Sequence, residues 1–566
     1  MSYPNPSTAL AATLIDELVR GGVGLIVAAP GSRSTALVLA AASRSDVALV
    51  MAIDERSAGF HAVGWAKASG RPSAVITTSG TAVANLMPAV VEADASGVPL
   101  LVLSSDRPPE SRRVGANQTI EQLGLFGAFV RLTVDLGPAE VDAQAPRWWR
   151  SMASQALGAA TGWNGRRGPV QIDVSFREPT VGVPDDGRTA AEPFAFDEPG
   201  RPDGRHWTEA LATRQPSVEL VGRLGDAIGR ASRGLIVAGA GTAGSRNVAE
   251  LGAHLGWPVV ATAESGIRGL ERVISTGHHL LASEQSVPEM VIRFGTPGPS
   301  RRLIDLIAGP VPQVVVGPLW SDPGRMADLV VDVDVSGLAN ALIESIPERE
   351  DPWVEWWQQA DRAVRQALEP ELATALTEPG VAVQVARLRS DSLVVGSSMP
   401  IRDVESYAFD VPSIIANRGA SGIDGIVSTA LGAAHVSKPV VAFVGDLSIL
   451  HDSNGFLCDP RPDCVFVVVD NSGGGIFSFL PQAEHVGADF ERLFATPPDR
   501  DLSVLADFHH LDHRQVEDSA DLAPTVNRMQ AAGGCGLVVI KTDRVDNVHE
   551  HRRLERLALE AIAEIT

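Results

Sequence analysis

Two polar motifs in the C-terminal part of the chain directly follow apolar runs. Residues 440–444 lead into Gly445-Asp446-Leu447-Ser448, and residues 465–469 lead into Asp470-Asn471. Asn471 follows Asp446 by 25 residues, roughly the length of one strand–helix–strand unit of a parallel sheet. Such a unit brings two strand ends side by side, here with a carboxylate on one and an amide carbonyl on the other. Hard oxygen ligands suit Mg²⁺, which completes its coordination with phosphates and water, so the spacing indicates a magnesium diphosphate site. The alternative is that both are ordinary strand-end residues, because Asp, Asn and Gly are common in turns.

A further carboxylate, Glu55, follows the apolar run 47–53 and precedes a predicted helix over 58–68. It therefore stands at the carboxyl end of a strand, where open α/β sheets place their ligand sites. A carboxylate at a helix start also interacts favourably with the helix dipole, so a purely structural role stays open at this point.

Arginines also follow predicted strands in the first third of the chain. Pro30-Gly31-Ser32-Arg33-Ser34 opens a helix, and a helix N-terminus with hydroxyls and a guanidinium suits a carboxylate. Arg107 follows the run 100–104, and Gln118 lies just beyond it. A single Arg is commonly a surface ion-pair partner. Because parallel strand ends converge on one edge of a sheet, the two together predict an anion site.

Three glycine-rich polar stretches occur in the last third of the chain, at 396–403, 417–425 and 473–481. The residues in them that carry the interpretation are Gly396, Ser397, Ser398, Arg402, Arg418, Ile423, Gly473, Gly474, Ile476 and Phe477.

The Gly-Asp pair and the later Asn resemble the fingerprint of thiamine-diphosphate enzymes, although the usual Asn-Asn is here Asp470-Asn471. The resemblance implies that Asp446, Asn471 and the backbone of Gly473 hold Mg²⁺ or Mn²⁺, which binds the diphosphate of thiamine diphosphate. It implies that Glu55 hydrogen-bonds the aminopyrimidine and activates the cofactor. The implied cofactor-binding residues are Pro30, Glu55, Thr81, Gly396, Ser397, Ile423, Gly445, Asp446, Leu447, Ser448, Asn471, Gly473 and Gly474.

The stretches 30–34, 417–425 and 474–478 resemble, within this class, the 2-succinyl-5-enolpyruvyl-6-hydroxy-3-cyclohexene-1-carboxylate synthase family of menaquinone biosynthesis, and the likeness covers essentially the whole chain. The resemblance implies a transferase that decarboxylates 2-oxoglutarate and adds the succinyl carbanion to isochorismate in a 1,4-addition. Each substrate carries two carboxylates, which several arginines in one pocket would meet. The implied catalytic residues are Glu55, Ser32, Arg33, Arg107, Gln118, Ser398, Arg402, Arg418, Ile476 and Phe477. Another carboligase or 2-oxo acid decarboxylase, and a catalytically silent ligand-binding protein on the same fold, stay open as alternatives.

The elements that must position these residues are short Val/Ile/Leu runs alternating with Ala-rich helical patterns. This alternation predicts an α/β fold whose parallel sheets are covered on both faces. Linkers at 184–205 and 346–352 divide the chain into three doubly wound parallel-sheet domains. By the resemblance, 1–184 binds the pyrimidine, 206–346 is a central Rossmann-like domain and 353–566 binds the diphosphate.

The middle block carries a glycine motif of another kind. Gly239-Ala240-Gly241-Thr242-Ala243-Gly244 follows an apolar run, and Glu264 comes 20 residues later. This meets the description of a dinucleotide fingerprint and, alone, would favour NAD or FAD. The thiamine-diphosphate resemblance instead implies a central domain that binds FAD in some members and nothing in others. Whether this motif binds a ligand stays open, as does a substrate contact by Arg301.

Bulk composition excludes several classes. With 566 residues and 45% hydrophobic residues, the chain has enough material for more than two cores. A net charge of −22 disfavours nonspecific nucleic-acid or anionic-membrane binding. Cys458, Cys464 and Cys535 fit neither a zinc knuckle nor a disulfide framework, and no signal peptide or membrane span is evident, so we expect a cytoplasmic protein without membrane insertion. The resemblance implies a homodimer or homotetramer with active sites at the chain interface.

Overall fold

The computed structural model describes residues 2–3, 5–140, 142, 144–178, 180–181, 194–195, 200–242, 245–388, 390–411 and 414–565. Most of the predicted first linker lies outside these residues. The chain packs as two compact units. The first unit comprises Met1–Ala212, Asn417–Ser437 and His451–Pro462, and the second comprises Thr213–Ala416, Lys438–Leu450 and Asp463–Thr566. Two short segments of the predicted third domain thus belong to the first unit, and the boundaries of the three domains stay a prediction.

The N-terminal part of the chain alternates strands and helices. Its strands are β1 (Ser2–Tyr3), β2 (Leu25–Ala28), β3 (Ala48–Ala52), β4 (Ser73–Thr77), β5 (Leu100–Asp106), β6 (Thr133–Asp135), β7 (Val170–Ser175) and β8 (Phe194–Ala195). Its helices are α1 (Pro6–Arg20), α2 (Thr35–Ala42), α3 (Glu55–Ser69), α4 (Thr81–Ala84), α5 (Met87–Ser96) and α6 (Ala145–Thr161).

The middle part has the same alternation. Its strands are β9 (Gly234–Ala238), β10 (Val259–Ala261), β11 (Val273–Ile274), β12 (Met290–Phe294), β13 (Gln313–Val316) and β14 (Leu329–Val331). Its helices are α7 (Val218–Arg230), α8 (Arg246–Leu255), α9 (Gly277–Leu280), α10 (Arg301–Ala308) and α11 (Val335–Ser345).

The C-terminal part begins with a long helix and continues with strands and helices. Its strands are β15 (Ser392–Val395), β16 (Ile414–Ile415), β17 (Val440–Gly445), β18 (Cys458–Asp459), β19 (Cys464–Asp470), β20 (Asp512–Gln515) and β21 (Cys535–Lys541). Its helices are α12 (Pro352–Leu372), α13 (Glu378–Ala386), α14 (Met399–Tyr407), α15 (Ile426–Ala433), α16 (Asp446–His451), α17 (Gln482–His485), α18 (Leu502–Phe508), α19 (Ser519–Ala532) and α20 (Arg544–Ala563).

The first unit is built on a seven-stranded sheet in the order β18-β3-β2-β4-β5-β7-β6. All pairs in it are parallel except β18 with β3. Every residue of β2, β4, β5 and β7 is buried, as expected for parallel strands covered on both faces. β1 and β8 form a separate antiparallel pair.

Helices α3 and α15 of the first unit meet at unusually close range. A Cβ at Gly64 would lie 2.1 Å from the Thr429 carbonyl oxygen, and a Cβ at Gly432 would lie 2.0 Å from the His61 carbonyl oxygen. Only glycine allows this approach at either position. The contact therefore fixes how α15 packs on α3.

The second unit contains two six-stranded sheets, both entirely parallel. Their orders are β11-β10-β9-β12-β13-β14 and β16-β15-β17-β19-β21-β20. Residues of α12 and α20 join one apolar cluster with side chains of the first of these sheets, including Leu235 and Val291. The predicted α/β class with parallel sheets is confirmed. Within the described ranges, every helix is too short or too polar to cross a bilayer.

Candidate active site

Asp446 and Asn471 lie at the carboxyl ends of neighbouring parallel strands in the second unit. β17 and β19 pair in register, with Gly445 opposite Val469, so the predicted adjacency is confirmed. The Asp446 carboxylate accepts hydrogen bonds from the backbone N–H of Leu447 at 2.8 Å and of Gly473 at 2.7 Å. The two strand ends are therefore already tied together through Asp446.

The Asn471 side chain is held in one orientation. Its Nδ2 donates to Oε1 of Glu378 at 2.8 Å, and Thr542 Oγ1 donates to the same oxygen at 3.1 Å. Its Oδ1 is buried and has no hydrogen-bond partner among the described residues. A buried carbonyl oxygen without a partner is costly, so an orphan at this position indicates a ligand.

Burial sets the charge state of the two carboxyls in this region. It raises the pKa of Asp446 to about 6, and it raises the pKa of Glu378 to about 7 with help from the Asp403 carboxyl. A bound divalent cation would favour the ionised form of Asp446. Within the described part of the chain, no group of three or more His, Cys, Asp or Glu could hold a metal. A cation here would depend on one carboxylate, neutral oxygens and ligand phosphates, as is usual for Mg²⁺.

The turn after β19 is shaped for close backbone approach. Gly473 has φ +130°, and a Cβ there would lie 2.2 Å from the Ala495 carbonyl oxygen. Ser472, before it, also adopts a positive φ of 58°. Asp446, the Asn471 carbonyl and this turn together fit a hard cation with a diphosphate.

The stretch 396–403 begins as a loop and continues into α14. Gly396 and Ser397 are buried, and Ser398 adopts φ 79°, a strained conformation for a residue with a side chain. Arg402 is half-buried and donates from Nη1 to the Ser398 carbonyl. Arg402, which is predicted to bind substrate, is thus hydrogen-bonded to the backbone of Ser398, which is also predicted to contact substrate.

Polar side chains connect α14 to α20. His551 Nε2 lies 3.0 Å from Oδ1 of Asp403, and the His551 Nδ1 is hydrogen-bonded to the Tyr407 hydroxyl at 3.0 Å. The Phe479 ring meets the His551 ring edge-on at 5.0 Å. His551 therefore contacts both α14 and the turn that carries the predicted apolar residues.

Those apolar residues, Ile476 and Phe477, lie in a 3₁₀ turn over Gly475–Phe479. Both are half-buried, and Phe477 packs edge-on against Phe494 at 5.8 Å. Their partial exposure fits a wall rather than a core position.

Glu55 lies in the first unit as the first residue of α3, directly after the capping residue Asp54. Oε2 of Glu55 accepts a hydrogen bond from Nδ2 of Asn85 at 3.1 Å. A cavity of about 630 Å³ is lined by both of these residues and by Ile53, Pro88 and Asn454. Glu55 is therefore a half-buried carboxylate that faces an open cavity.

Gln118 lies against the turn that opens α4. Its Nε2 donates to the Ser79 carbonyl at 2.9 Å, and Ser79 Oγ donates to the Gln118 carbonyl at 2.9 Å. The Gly80 N–H donates to Oε1 of Gln122, whose Nε2 donates to Asp173 at 3.0 Å. Gln118 has a positive φ of 52°. The turn at Ser79 and Gly80 and the Gln118 loop thus form one hydrogen-bonded structure, with the exposed Thr81 at the start of α4.

Arg33 is buried although it was predicted to meet a ligand. Its Nη1 donates to the Phe176 carbonyl at 2.8 Å, and its Nη2 lies 2.8 Å from the Glu178 carboxylate. Burial, followed by the charge of Arg107, lowers the pKa of the Arg33 guanidinium. The guanidiniums of Arg33 and Arg107 carry like charges, so an anion bound between them would reduce their repulsion. Pro30 and Ser32, which precede Arg33, are exposed.

Arg418 and Ile423 belong to a loop of the first unit that Glu92 holds. The Glu92 carboxylate accepts hydrogen bonds from the backbone N–H of Gly419 at 3.1 Å and of Ala420 at 2.7 Å. Both Arg418 and Ile423 are half-buried.

The predicted residues thus divide between the two units. The first unit holds Pro30, Ser32, Arg33, Glu55, Thr81, Arg107, Gln118, Arg418 and Ile423. The second holds Gly396, Ser397, Ser398, Arg402, Gly445, Asp446, Leu447, Ser448, Asn471, Gly473, Gly474, Ile476 and Phe477. Sequence reasoning missed Glu378, Asn85 and Glu92, because a lone acid or amide in a helix or directly after one carries no motif.

The glycine motif of the middle block has an internal explanation at its first position. A Cβ at Gly239 would lie 1.5 Å from the Thr296 carbonyl oxygen, so packing within the chain is enough to require glycine at this position. The last glycine of the motif, Gly244, lies outside the described residues. Arg301 is exposed and pairs with Asp305 at 2.9 Å.

Comparison with known proteins assigns the chain in two steps. Residues 8–125 match the sequence model of the family described as "Thiamine pyrophosphate enzyme, N-terminal TPP binding domain". Together with the parallel α/β sheets, this match places the chain among the enzymes that use thiamine diphosphate as cofactor.

Relatives named 2-succinyl-5-enolpyruvyl-6-hydroxy-3-cyclohexene-1-carboxylate synthase cover nearly the whole chain. The protein from Thermobifida fusca is 41% identical, over 99% of this chain and 99% of its own length. The protein from Rubrobacter xylanophilus is 39% identical over 96% and 97%, and that from Geobacillus kaustophilus is 38% identical over 96% of each. The chain belongs to the 2-succinyl-5-enolpyruvyl-6-hydroxy-3-cyclohexene-1-carboxylate synthase family, and the resemblance predicted from the sequence is confirmed.

Proposed function

We propose that the protein decarboxylates 2-oxoglutarate and joins the remaining succinyl unit to isochorismate by a 1,4-addition, a step of menaquinone biosynthesis. The bond between C1 and C2 of 2-oxoglutarate breaks and releases CO₂, one carbon–carbon bond to the isochorismate ring forms as one ring double bond is consumed, and one proton is taken up at the ring carbon next to the carboxylate. The observation that carries the proposal is the near full-length identity of 38–41% to synthases named for this product.

The cation and diphosphate side of the site is assigned to the second unit. Asp446, the side-chain carbonyl of Asn471 and the backbone carbonyl of Gly473 would hold Mg²⁺ or Mn²⁺. The orphan Asn471 Oδ1 supports this role, since it is buried without a partner among the described residues. The residues that would line the diphosphate are Gly396, Ser397, Gly445, Leu447, Ser448 and Gly474.

Glu55 would hold and exchange a proton with the aminopyrimidine of the cofactor. Its half-buried carboxylate faces a cavity, and Asn85 fixes one of its oxygens. The bound cofactor supplies a nucleophilic carbon and an electron sink for the decarboxylation. Pro30, Thr81 and Ile423 are proposed to complete the binding surface for its rings.

Arginines would bind the substrate carboxylates, because planar guanidiniums match carboxylates in two hydrogen bonds. Arg33 and Arg107 are proposed as one such pair, supported by the effect of the Arg107 charge, which lowers the pKa of the buried Arg33. Arg402 and Arg418 are proposed as further anchors. Ser32, Gln118 and Ser398 would add hydrogen bonds. Ile476 and Phe477 would keep water from the reactive carbon, which would otherwise be protonated.

We also propose that two or four copies assemble and that the active site combines Glu55 of one copy with Asp446 of another. A mixing experiment tests this assembly. After dissociation and reassociation, Glu55→Gln protein mixed with Asp446→Ala protein should regain about a quarter of wild-type activity, because half the dimers would carry one intact site. No recovery beyond the two separate variants would place both residues of each site in one copy.

A cytoplasmic location is supported by the three cysteines. All of them are buried and none forms a disulfide. This usage suits a reducing compartment.

The reaction is tested with purified protein, thiamine diphosphate, Mg²⁺ and both substrates. We expect CO₂ release and loss of isochorismate absorbance, each dependent on the presence of both substrates. Rapid aldehyde release from 2-oxoglutarate alone, or use of pyruvate, would favour another carboligase or decarboxylase.

The Glu55→Gln variant separates an enzyme from a silent ligand-binding protein. It should lower kcat about 10²- to 10⁴-fold while cofactor binding persists, since the amide cannot exchange the proton. A variant with wild-type turnover would remove Glu55 from the mechanism.

A further inference from the structure

Glu378 is a buried acid that the proposed reaction does not use. It is 2% exposed and begins α13, 93 residues before Asn471 in the chain. Oε1 of Glu378 accepts two hydrogen bonds, from Asn471 Nδ2 at 2.8 Å and from Thr542 Oγ1 at 3.1 Å. Two donors from the ends of two neighbouring strands thus converge on a single carboxylate oxygen.

This contact determines which end of the Asn471 amide faces away. An Asn side chain offers one accepting oxygen and one donating nitrogen, and the amide can turn to present either. The Glu378 oxygen accepts here, so it pairs with the nitrogen. Asn471 Oδ1 is then left free of donors from the described part of the protein, as observed.

The position of Thr542 makes the arrangement rigid. Thr542 follows β21, and its backbone N–H donates to the Asp470 carbonyl at 3.0 Å, so it is tied to the end of β19. Its hydroxyl then holds the Glu378 oxygen from a second side. The acceptor is therefore anchored independently of Asn471.

We propose that Glu378 is a positioning residue that aims the Asn471 carbonyl oxygen at the divalent cation of the cofactor. The inference rests on the proposed role of Asn471 as a cation ligand. It also explains the residue type at 471. An Asp there would place a second carboxylate against Glu378 at hydrogen-bond distance, with no donor between them when both groups are ionised.

The first test measures Mn²⁺ binding to the protein with thiamine diphosphate, by the electron paramagnetic resonance of free Mn²⁺. Glu378→Leu removes the acceptor and should weaken Mn²⁺ binding about 10- to 100-fold, the usual effect of losing a residue that orients a metal ligand. Glu378→Gln keeps an accepting oxygen and should stay within about threefold of wild type. Unchanged affinity in Glu378→Leu would overturn the proposal.

A reciprocal exchange gives a second test that does not depend on the Leu variant folding. At pH 8, Asn471→Asp alone should bind Mn²⁺ more weakly than wild type, because two carboxylates then face each other. Adding Glu378→Gln supplies a donor, so the double variant should bind about tenfold or more tighter than Asn471→Asp. Wild-type affinity in Asn471→Asp, or no gain in the double variant, would contradict the donor–acceptor pairing.

Controls distinguish this inference from the proposed reaction. Thr542→Val removes the second donor but keeps the Asn471 bond, so Mn²⁺ binding should fall only about threefold. Asn471→Ala should weaken binding strongly, and if it does not, the proposed cation role of Asn471 fails. If wild type binds Mn²⁺ and cofactor but does not turn over the two substrates, the proposed reaction fails while the role of Glu378 stands.

Discussion

Replacing Asp173 with Asn should change how the stability of the first unit depends on pH. Asp173 is fully buried, and its Oδ1 accepts hydrogen bonds from Ser104 Oγ at 2.7 Å and from Gln122 Nε2 at 3.0 Å. Arg112 Nη2 lies 2.7 Å from Asp106 and 3.4 Å from Asp173, so one guanidinium serves two carboxyls. Burial, together with the neighbouring Asp106, raises the pKa of Asp173 to about 7.

The sign follows from where the proton resides. The unfolded chain releases this proton near pH 4, whereas the folded chain keeps it until about pH 7. Between these values the folded state binds more protons, so stability is greatest at low pH and is lost as pH rises towards 7. Each pKa unit is worth about 1.4 kcal/mol, which makes the total loss about 4 kcal/mol, with about 3 kcal/mol of it between pH 5 and pH 8.

The amide introduced by Asp173→Asn resembles the protonated acid, because its oxygen can accept the two hydrogen bonds that Oδ1 now accepts and its nitrogen can donate to Asp106. In this variant the free energy of unfolding should therefore lose about 3 kcal/mol less than wild type between pH 5 and pH 8. Urea unfolding of both proteins at the two pH values measures this difference. Asp135→Asn is the matched control, since Asp135 lies 3.8 Å from the same Arg112 but is 41% exposed. A wild-type pH slope in Asp173→Asn would refute the reasoning.

Three further predictions concern the second unit. Gly473→Ala should cost on the order of 1–3 kcal/mol of stability and weaken Mn²⁺ binding, because φ is +130° and the new Cβ would meet Ala495. Urea unfolding measures the loss of stability, and Mn²⁺ titration measures the loss of binding. His551→Phe should destabilise the protein by about 3 kcal/mol in thermal melts, since the buried Asp403 carboxyl would lose the ring nitrogen that lies 3.0 Å from its Oδ1. Chelation of divalent cations should lower the affinity for thiamine diphosphate, and Mg²⁺ or Mn²⁺ should restore it, as followed by tryptophan fluorescence.

Matched variants control these three experiments. Gly487→Ala also has a positive φ, of 66°, but its Cβ would meet nothing within 4 Å, so it should cost less than Gly473→Ala. Tyr407→Phe removes only the hydroxyl contact of His551 and should cost about 1 kcal/mol. Equal losses of stability in Gly473→Ala and Gly487→Ala, or in His551→Phe and Tyr407→Phe, would contradict the first two arguments. A cofactor affinity that does not change with the chelator would contradict the third.

The adjacency of Asp446 and Asn471 could be predicted because it depends on a local rule. Each residue follows a continuous apolar run, and one crossover separates the runs, so parallel strand pairing alone brings their ends together. The same rule placed Glu55 at a strand end, where it begins α3. Residues at the ends of buried parallel strands are thus accessible to sequence reasoning.

Contacts between distant parts of the chain were not predictable in the same way. Glu378 meets Asn471 only because α13 begins beside the β17–β19 edge, and a single Glu after a Thr carries no signal of that position. The direction of the Arg33 side chain depends on the carbonyl of Phe176, 143 residues later. Such pairings follow from tertiary packing, which no local pattern encodes.

The close contact of α3 with α15 has a consequence for protein engineering. Glu55 is the first residue of α3, and Ile423 comes just before α15, so each helix starts beside a residue of the proposed cofactor site. Gly64 and Gly432 let the two backbones lie in direct contact, so no side chain lies between the helices that could adjust if one helix moved. A library aimed at new acceptor substrates should therefore keep both glycines fixed, although neither faces the cavity. A methyl group at either glycine would shift Glu55 and Ile423 together. The effect would be measured as weaker cofactor binding rather than as a changed substrate preference.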